Sequence, residues 1–163
     1  MPDPAKPGIT RSGEAGGTAV AIRLVVRSNG RSRPIRVAVI DDDTDLLSLM
    51  QEVLSDEGYD VDLMRGFQDA YDHVRATQPD VVICDLVVKN EERGWEIIDL
   101  LAVDPKTAAI PLIVCSAAVR SLEARRDMLE QQGTRLIPKP FDLPTLLEAI
   151  RESVARRESA DRV

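Results

Sequence analysis

Short apolar runs alternate with amphipathic stretches along most of the chain, beginning at Arg36. The runs at 36–40, 80–84 and 111–116 are rich in β-branched residues and apolar except at their ends, as strands buried on both faces are. Two further runs, at 60–64 and 135–139, have the length of strands but a more mixed composition. The pattern predicts five strands, three of which lie in the interior of a sheet.

Helical patterns follow each of these runs. Apolar side chains spaced three or four positions apart share one face of a helix in two stretches. These residues are Leu46, Leu47, Met50, Val53 and Leu54 in the first stretch, and Leu143, Leu146, Leu147, Ile150 and Val154 in the second. Helices are also predicted at 67–77, 94–102 and 121–132. Five strand–helix units predict an α/β sandwich with helices on both faces of a parallel sheet.

The length of 163 residues fits one domain with some additional chain. A hydrophobic fraction of 44% and a charged fraction of 30% are typical of a globular protein. No apolar run is long enough for a membrane span, and the N-terminus lacks the apolar core of a signal peptide. We therefore expect a cytoplasmic protein with no membrane span. Cys84 and Cys115 lie inside apolar runs and are expected to be reduced core thiols.

Charge is distributed unevenly along the chain. Residues 1–34 contain six Lys or Arg and two acidic residues, a net charge of +4. Because the whole chain has a net charge of −7, residues 35–163 have a net charge of −11. An acidic body repels phosphates, which argues against direct DNA binding. Residues 1–34 are rich in Gly, Pro, Ser and Arg and predict a flexible basic extension, in which the apolar run Val20 to Val26 could pair with another element.

Chemically complementary residues end four of the predicted strands. Asp41 and Asp42 follow the first strand, Asp85 the third, Ser116 the fourth and Lys139 the fifth. Because parallel strands bring their carboxyl ends to one edge of the sheet, these groups should converge. Consecutive acids repel one another, so they need a cation, a helix N-terminus or solvent nearby. Asp43 or Thr44 could instead serve only as the cap of the next helix.

The segments "VIDDD", "PDVVICDL", "IPLIVCSAA" and "KPF", in this order and spacing, resemble the receiver domain of bacterial two-component response regulators. The resemblance covers about residues 35–157 and leaves 158–163 as a short C-terminal tail. It implies a doubly wound (βα)5 flavodoxin-like sandwich with a parallel sheet of order 2-1-3-4-5, the order by which the family is commonly illustrated.

The resemblance also implies roles for single residues. Asp85 is expected to accept a phosphoryl group, and Asp41, Asp42, Asp85 and the backbone carbonyl of Val87 are expected to bind Mg²⁺. Ser116 corresponds to the switch hydroxyl and Lys139 to the lysine that contacts the phosphoryl group. The implied partners are a sensor histidine kinase or a histidine phosphotransfer protein, together with an unknown downstream protein. With one helix and a short tail after Phe141, we expect a stand-alone receiver that is not an enzyme.

Several positions depart from the family pattern. In "DLVVKNEERGW", Lys89 replaces the usual proline, Arg93 precedes Gly94 in place of an acid, and the loop contains one residue more than usual. Leu136 stands three residues before the lysine, where the family often has an aromatic residue. His73 is expected to lie on an outer helix and to be solvated. Trp95 is expected to contribute to packing and not to function.

Two alternative functions remain open from the sequence. The first is a receiver-like adaptor that is never phosphorylated, suggested by the unusual loop after Asp85. The second is a phosphohydrolase of the haloacid dehalogenase type, in which the nucleophile follows the first strand and a second acid lies two residues later. Asp41 and Asp43 fit that pattern, but Asp45 stands where a Thr or Val is expected, and no late acidic pair follows Lys139.

Overall fold

The computed structural model describes residues 32–87 and 93–162. Five strands and five helices alternate along the chain. They are β1 (Arg36–Asp41), α1 (Thr44–Asp56), β2 (Asp60–Arg65), α2 (Ala70–Thr77), β3 (Val81–Cys84), α3 (Gly94–Val103), β4 (Leu112–Ser116), α4 (Val119–Gln131), β5 (Arg135–Pro138) and α5 (Leu143–Ala160). The strands form one parallel sheet of order β2-β1-β3-β4-β5, which confirms the predicted fold and strand order.

Side chains of the central strands alternate between two apolar cores because successive residues of a strand point to opposite faces. Ala38 and Ile40 of β1 pack with α2, α3 and α4 on one face of the sheet. Val37 and Val39 pack with α1 and α5 on the other face. Burial on both faces explains why β1, β3 and β4 are continuous apolar runs in the sequence.

Local backbone geometry and capping explain where several helices begin. The Asp43 carboxylate accepts hydrogen bonds from the backbone amides of Asp45 and Leu46, and it thereby satisfies two amides in the first turn of α1. Helix α2 begins at Ala70, later than the predicted residue 67, because Asp69 has a φ of 61° in the left-handed region. Helix α4 begins at Val119, two residues earlier than predicted.

Pro138 is the last residue of β5, which lies at the edge of the sheet. A proline has no backbone N–H to donate, so an edge strand is the position where it costs least. Cys84 and Cys115 are buried and unpaired, as predicted, and burial raises the pKa of the Cys115 thiol to about 12. Trp95 packs in the core, with the Arg125 guanidinium 4.5 Å from the centre of its ring.

His73 lies on α2 and is partly exposed, as expected for an outer helix. Its Nε2 atom, however, lies 2.6 Å from an Asp62 carboxylate oxygen on β2, so the side chain is not simply solvated. Strand β2 is at the edge of the sheet, and Asp62 lies in the middle of that strand. His73 therefore contacts a sheet residue that is not among the predicted site residues.

The chain reaches β1 through an ion pair with a buried acid. Both terminal nitrogens of Arg33 donate to the Asp80 carboxylate, at 2.7 and 3.1 Å, and the Arg36 amide donates to the same group at 2.8 Å. Arg33 belongs to the segment predicted as an extension, whereas residues 1–31 of that segment lie outside the described residues. Among the described residues, no helix is both long enough and apolar enough to cross a membrane.

Candidate functional site

The carboxyl ends of the strands bring together acids from two different strands. Asp41 is the last residue of β1, and Asp85 directly follows β3, which lies beside β1 in the sheet. One carboxylate oxygen from each of Asp41, Asp42 and Asp85 lies within 4.8 Å of the others. Asp41 and Asp85 are buried, whereas Asp42 is partly exposed. The three acids predicted from the sequence to act together are therefore neighbours in the fold.

Asp43, the third acid of the consecutive run, has a different environment. Its carboxylate caps α1, and its backbone amide donates to an Asp41 carboxylate oxygen at 2.9 Å. The sequence raised a cation, a helix N-terminus and solvent as explanations for the acidic run. Asp43 caps the helix, whereas Asp41 and Asp42 belong to the acidic cluster, where a cation site remains the prediction.

Lys139 lies between the two buried acids. Its Nζ atom donates to Asp41 at 2.8 Å and to Asp85 at 3.0 Å. Burial lowers the pKa of this ammonium, but the hydrogen bonds and charges of the two carboxylates outweigh burial and raise it above its ordinary value. Lys139 is therefore a permanent cation at neutral pH, and its charge offsets the repulsion between Asp41 and Asp85.

Ser116 ends β4 and is fully buried. Its hydroxyl oxygen accepts a hydrogen bond from the Ala118 amide at 3.1 Å, and its backbone carbonyl accepts one from the Lys139 amide at 2.9 Å. The second bond connects the end of β4 to the residue that bridges the acids. Ser116 is therefore connected to the acidic cluster through the backbone of Lys139.

The position of Asp85 depends on close backbone contacts. Its amide donates to the Ile40 carbonyl at 3.0 Å, and the Val87 amide donates to its carboxylate at 3.2 Å. A Cβ atom on Gly94 would lie only 2.5 Å from the Asp85 carbonyl oxygen and 2.6 Å from the Leu86 Cα. Only glycine fits there, a requirement that the sequence pattern did not reveal.

The sequence model of the response regulator receiver domain matches residues 37–151. The match includes all of β1 except its first residue, the other four strands, and four of the five helices completely. The chain belongs to the response regulator receiver family. Residues 88–92, which contain Lys89 and most of the atypical loop, lie outside the described residues.

Curated relatives agree with this assignment. The response regulator MprA of Mycolicibacterium vanbaalenii is 30% identical over 128 residues, which cover 78% of this chain and 53% of that protein. The DNA-binding response regulator MtrA of Mycolicibacterium smegmatis is 28% identical over 123 residues, covering 76% of this chain and 52% of that protein. The chain thus spans about half the length of these relatives.

Solved structures show the same fold. A CheY-like receiver domain protein from Methanospirillum hungatei superposes with a TM-score of 0.66 at 23% identity, covering 78% of this chain and 98% of that one. The receiver domain of the sensor histidine kinase PA1611 from Pseudomonas aeruginosa, solved with a magnesium ion in its active site cleft, has a TM-score of 0.63 at 17% identity. That match covers 75% of this chain and 98% of the other.

The donor set in this receiver domain fits a magnesium ion. Mg²⁺ prefers hard oxygen ligands and retains several waters. Two or three neighbouring carboxylates therefore supply enough protein ligands for a magnesium site. Asp41, Asp42 and Asp85 supply such oxygens within a small volume. The carbonyl of Val87 remains the predicted fourth protein ligand.

We expect added Mg²⁺ to stabilise the protein, because the ion reduces the repulsion among the three acids. At a free Mg²⁺ concentration about 100 times the Kd, binding contributes about 2.7 kcal/mol, measurable as a rise in Tm. Asp42→Ala should abolish this rise. The matched control is Asp43→Ala, which removes the α1 cap at a cost of about 1 kcal/mol but should retain the response to Mg²⁺. A response retained in Asp42→Ala would place the ion elsewhere.

Gly94→Ala should destabilise the domain and weaken its response to Mg²⁺. Alanine is favoured over glycine within a helix by about 1 kcal/mol, but overlap with backbone atoms costs about 1–3 kcal/mol. Urea unfolding with and without Mg²⁺ measures both effects. Gly133→Ala is the control, because its Cβ would meet only the end of the Arg156 side chain, at 3.9 Å, and any cost comes from the positive φ of 79°. Equal Mg²⁺ responses in the two variants would contradict a role for Gly94 beside Asp85.

Proposed function

We propose that this receiver domain accepts a phosphoryl group on Asp85 from a histidine kinase or a histidine phosphotransfer protein, in a reaction that requires Mg²⁺. The observation that carries the proposal is the contact of the Lys139 ammonium with both Asp41 and Asp85, with Asp42 in the same cluster. A carboxylate, a fixed cation and oxygens of the type that Mg²⁺ prefers thus lie together, which supports phosphoryl transfer to an aspartate.

The chemistry follows from charge. A carboxylate oxygen of Asp85 attacks a phosphorus atom that already carries anionic oxygens, and the bond from phosphorus to the donor's nitrogen breaks. The Lys139 ammonium offsets negative charge near the attacking group. A bound Mg²⁺, held by Asp41, Asp42, Asp85 and the Val87 carbonyl, would supply further positive charge to the phosphoryl oxygens. The product is an acyl phosphate on Asp85.

Ser116 is proposed as the group that responds to phosphorylation. Its hydroxyl oxygen accepts a hydrogen bond from the Ala118 amide, so its O–H remains available to donate to a phosphoryl oxygen. A shift of Ser116 toward the phosphoryl group would move Ala118 and the start of α4 with it. The charge added at Asp85 would then change the protein surface near α4, at a distance from the phosphoryl group itself.

We propose that the output of this domain is a protein contact, as in a response regulator acting alone or in a phosphorelay, and that the domain itself does not bind DNA. The net charge of −11 over residues 35–163 supports this view, because such a surface repels the phosphates of nucleic acid. Because the domain itself accepts the phosphoryl group, it promotes only its own phosphorylation and dephosphorylation. In this proposal it is not an enzyme that turns over other substrates.

The hydrolase alternative is disfavoured by the position of Asp43. In a hydrolase of that type Asp43 would act beside Asp41 on the substrate, whereas its carboxylate accepts hydrogen bonds from the Asp45 and Leu46 amides. The adaptor alternative predicts the same fold but no phosphorylation. The three functions therefore differ in a single measurement.

That measurement is incubation of the full chain with Mg²⁺ and acetyl phosphate, followed by intact mass spectrometry. We expect one added phosphoryl group that hydroxylamine removes and that Asp85→Asn fails to acquire. Asp43→Asn is the matched control and should still be phosphorylated. Turnover of a phosphate ester without an adduct would favour the hydrolase, and the absence of both activities would favour the adaptor.

The lifetime of the acyl phosphate depends on side chains that can orient water beside it. In receiver domains the side chains nearest to the attacking water lie two residues after the phosphoacceptor and two residues after the switch hydroxyl. In this chain they are Val87 and Ala118. Their amides donate to the Asp85 carboxylate and the Ser116 hydroxyl, so both residues adjoin the functional groups. Neither side chain can hydrogen bond to water, which predicts slow hydrolysis but leaves room for a partner's histidine.

We expect Val87→Asn with Ala118→Glu to accelerate loss of phosphate from the purified protein by about tenfold, about 1.4 kcal/mol of barrier. The polar side chains can orient the attacking water, whereas the wild-type ones cannot. Val87→Leu with Ala118→Met is a control of similar size without hydrogen-bonding groups, and it should not be faster than the wild type. If the polar variant is no faster either, the argument from water orientation is wrong.

A further inference from the structure

An apolar groove of about 660 Å³ runs between α1 and the start of α5. Leu46, Leu49 and Val53 form the α1 wall, and Leu143 and Leu146 form the α5 wall. Leu49 is 56% exposed and Leu143 is 38% exposed. Contiguous exposed apolar surface of this kind commonly marks a contact site. We call it the α1–α5 groove.

The lower end of the α1–α5 groove, at Val53, lies on the side of the sheet where β1 begins. Val53 is in the last turn of α1, and the residues after this helix return directly to Ile35, whose carbonyl accepts the Asp60 amide at 2.9 Å. Ile35 packs in the same core as α1 and α5. The pairing of Arg33 with Asp80 fixes Arg33 at this end. Residues 1–31 therefore join the domain beside the groove.

Residues 20–26 have the pattern that such a groove can accommodate. Val20, Ile22, Leu24 and Val26 occupy alternate positions, so an extended segment would present all four on one face. Between Val26 and Arg33 the chain can span about 23 Å. The part of α1 from Leu46 to Val53 is only about 10 Å long. The tether is long enough for the segment to lie along the whole groove.

Charge also favours this pairing. Arg23 and Arg27 lie within or next to the apolar segment, in an extension that carries a net charge of +4. Helix α1 contains three acidic residues and no Lys or Arg. A short tether raises the effective concentration of the segment to the millimolar range, which gives it an advantage over any free partner.

We propose that the segment Val20–Val26 docks into the α1–α5 groove of its own chain. The upper end of the groove is formed by Ala117, Lys139 and Pro140, so the docked segment would extend to the stem of the lysine that bridges Asp41 and Asp85. This docking does not depend on the function proposed above.

The test uses a thiol placed in the groove of the full-length chain. Leu49→Cys is alkylated with N-ethylmaleimide in the presence and absence of a second change, Ile22→Asp with Leu24→Asp. The native thiols, buried and with raised pKa, react slowly and provide a stable background. We expect Cys alkylation at position 49 to be about tenfold faster when the segment carries the two aspartates, because the segment then leaves the groove.

Two controls separate docking from a general effect. Ile9→Asp places a charge on another apolar residue of the extension and should leave the rate at position 49 unchanged. Val103→Cys, at a side chain that is 76% exposed on the last turn of α3, should react at the same rate with or without the segment changes. Both controls keep the chain at its full length.

Three outcomes would overturn the proposal. Equal rates at position 49 with and without the two aspartates would mean that the segment does not cover the groove. Protection that disappears on dilution would assign the groove to a second copy of the chain. Amide hydrogen exchange that is slowed by the wild-type segment at β2, and not along α1, would place the segment at the free edge of the sheet. None of these readouts involves phosphorylation, so they are independent of the proposed function.

Discussion

Repulsion among carboxylates at the end of the sheet is the constraint that organises this domain. Asp41 and Asp85 are both buried, and two unpaired like charges in such a place would be costly. The ammonium of Lys139 contacts both of them, at 2.8 and 3.0 Å, and removes much of that cost. The ends of β1, β3 and β5 are therefore connected by charge, although β5 pairs in the sheet with neither β1 nor β3.

The same repulsion explains why the three consecutive acids, residues 41–43, have different environments. The cluster already contains three carboxylates and one ammonium, so a fourth carboxylate from Asp43 would add further repulsion. Asp43 instead accepts two amides at the start of α1, where the helix dipole favours a negative charge. Its own amide donates to Asp41, so capping the helix also orients the buried acid. The sequence places two acids of the cluster next to a helix-capping acid, and the start of α1 separates their environments.

Much of this arrangement could be predicted from the sequence because it depends on local patterns. Buried strands leave continuous apolar runs, and parallel strands bring their ends together, so these patterns alone assign the acids and Lys139 to one edge of the sheet. The family resemblance supplied the strand order and the roles of single residues. The buried state of Cys84 and Cys115 followed from the same apolar runs.

The features that escaped prediction depend on tertiary contacts or on single backbone conformations. The fit of Gly94 against the Asp85 carbonyl exists only once α3 packs over the end of β3. The pairing of Arg33 with Asp80 joins residues that are 47 positions apart, and the contact of His73 with Asp62 needs the packing of α2 beside β2. The late start of α2 reflects the left-handed backbone of Asp69, which no periodicity in side chains could indicate.

Lys139 is the residue through which these features act on one another. Its ammonium contacts the acids, its amide donates to the Ser116 carbonyl, and its stem forms part of the α1–α5 groove. A phosphoryl group on Asp85 would change the charge that its ammonium faces, and any resulting shift of the side chain would alter the end of the groove. Conversely, a segment or partner in the groove would pack against that stem and limit its freedom to move. Because binding free energies are reciprocal, whatever occupies the groove and distinguishes the two states of Asp85 must also shift the equilibrium between the free and the phosphorylated form.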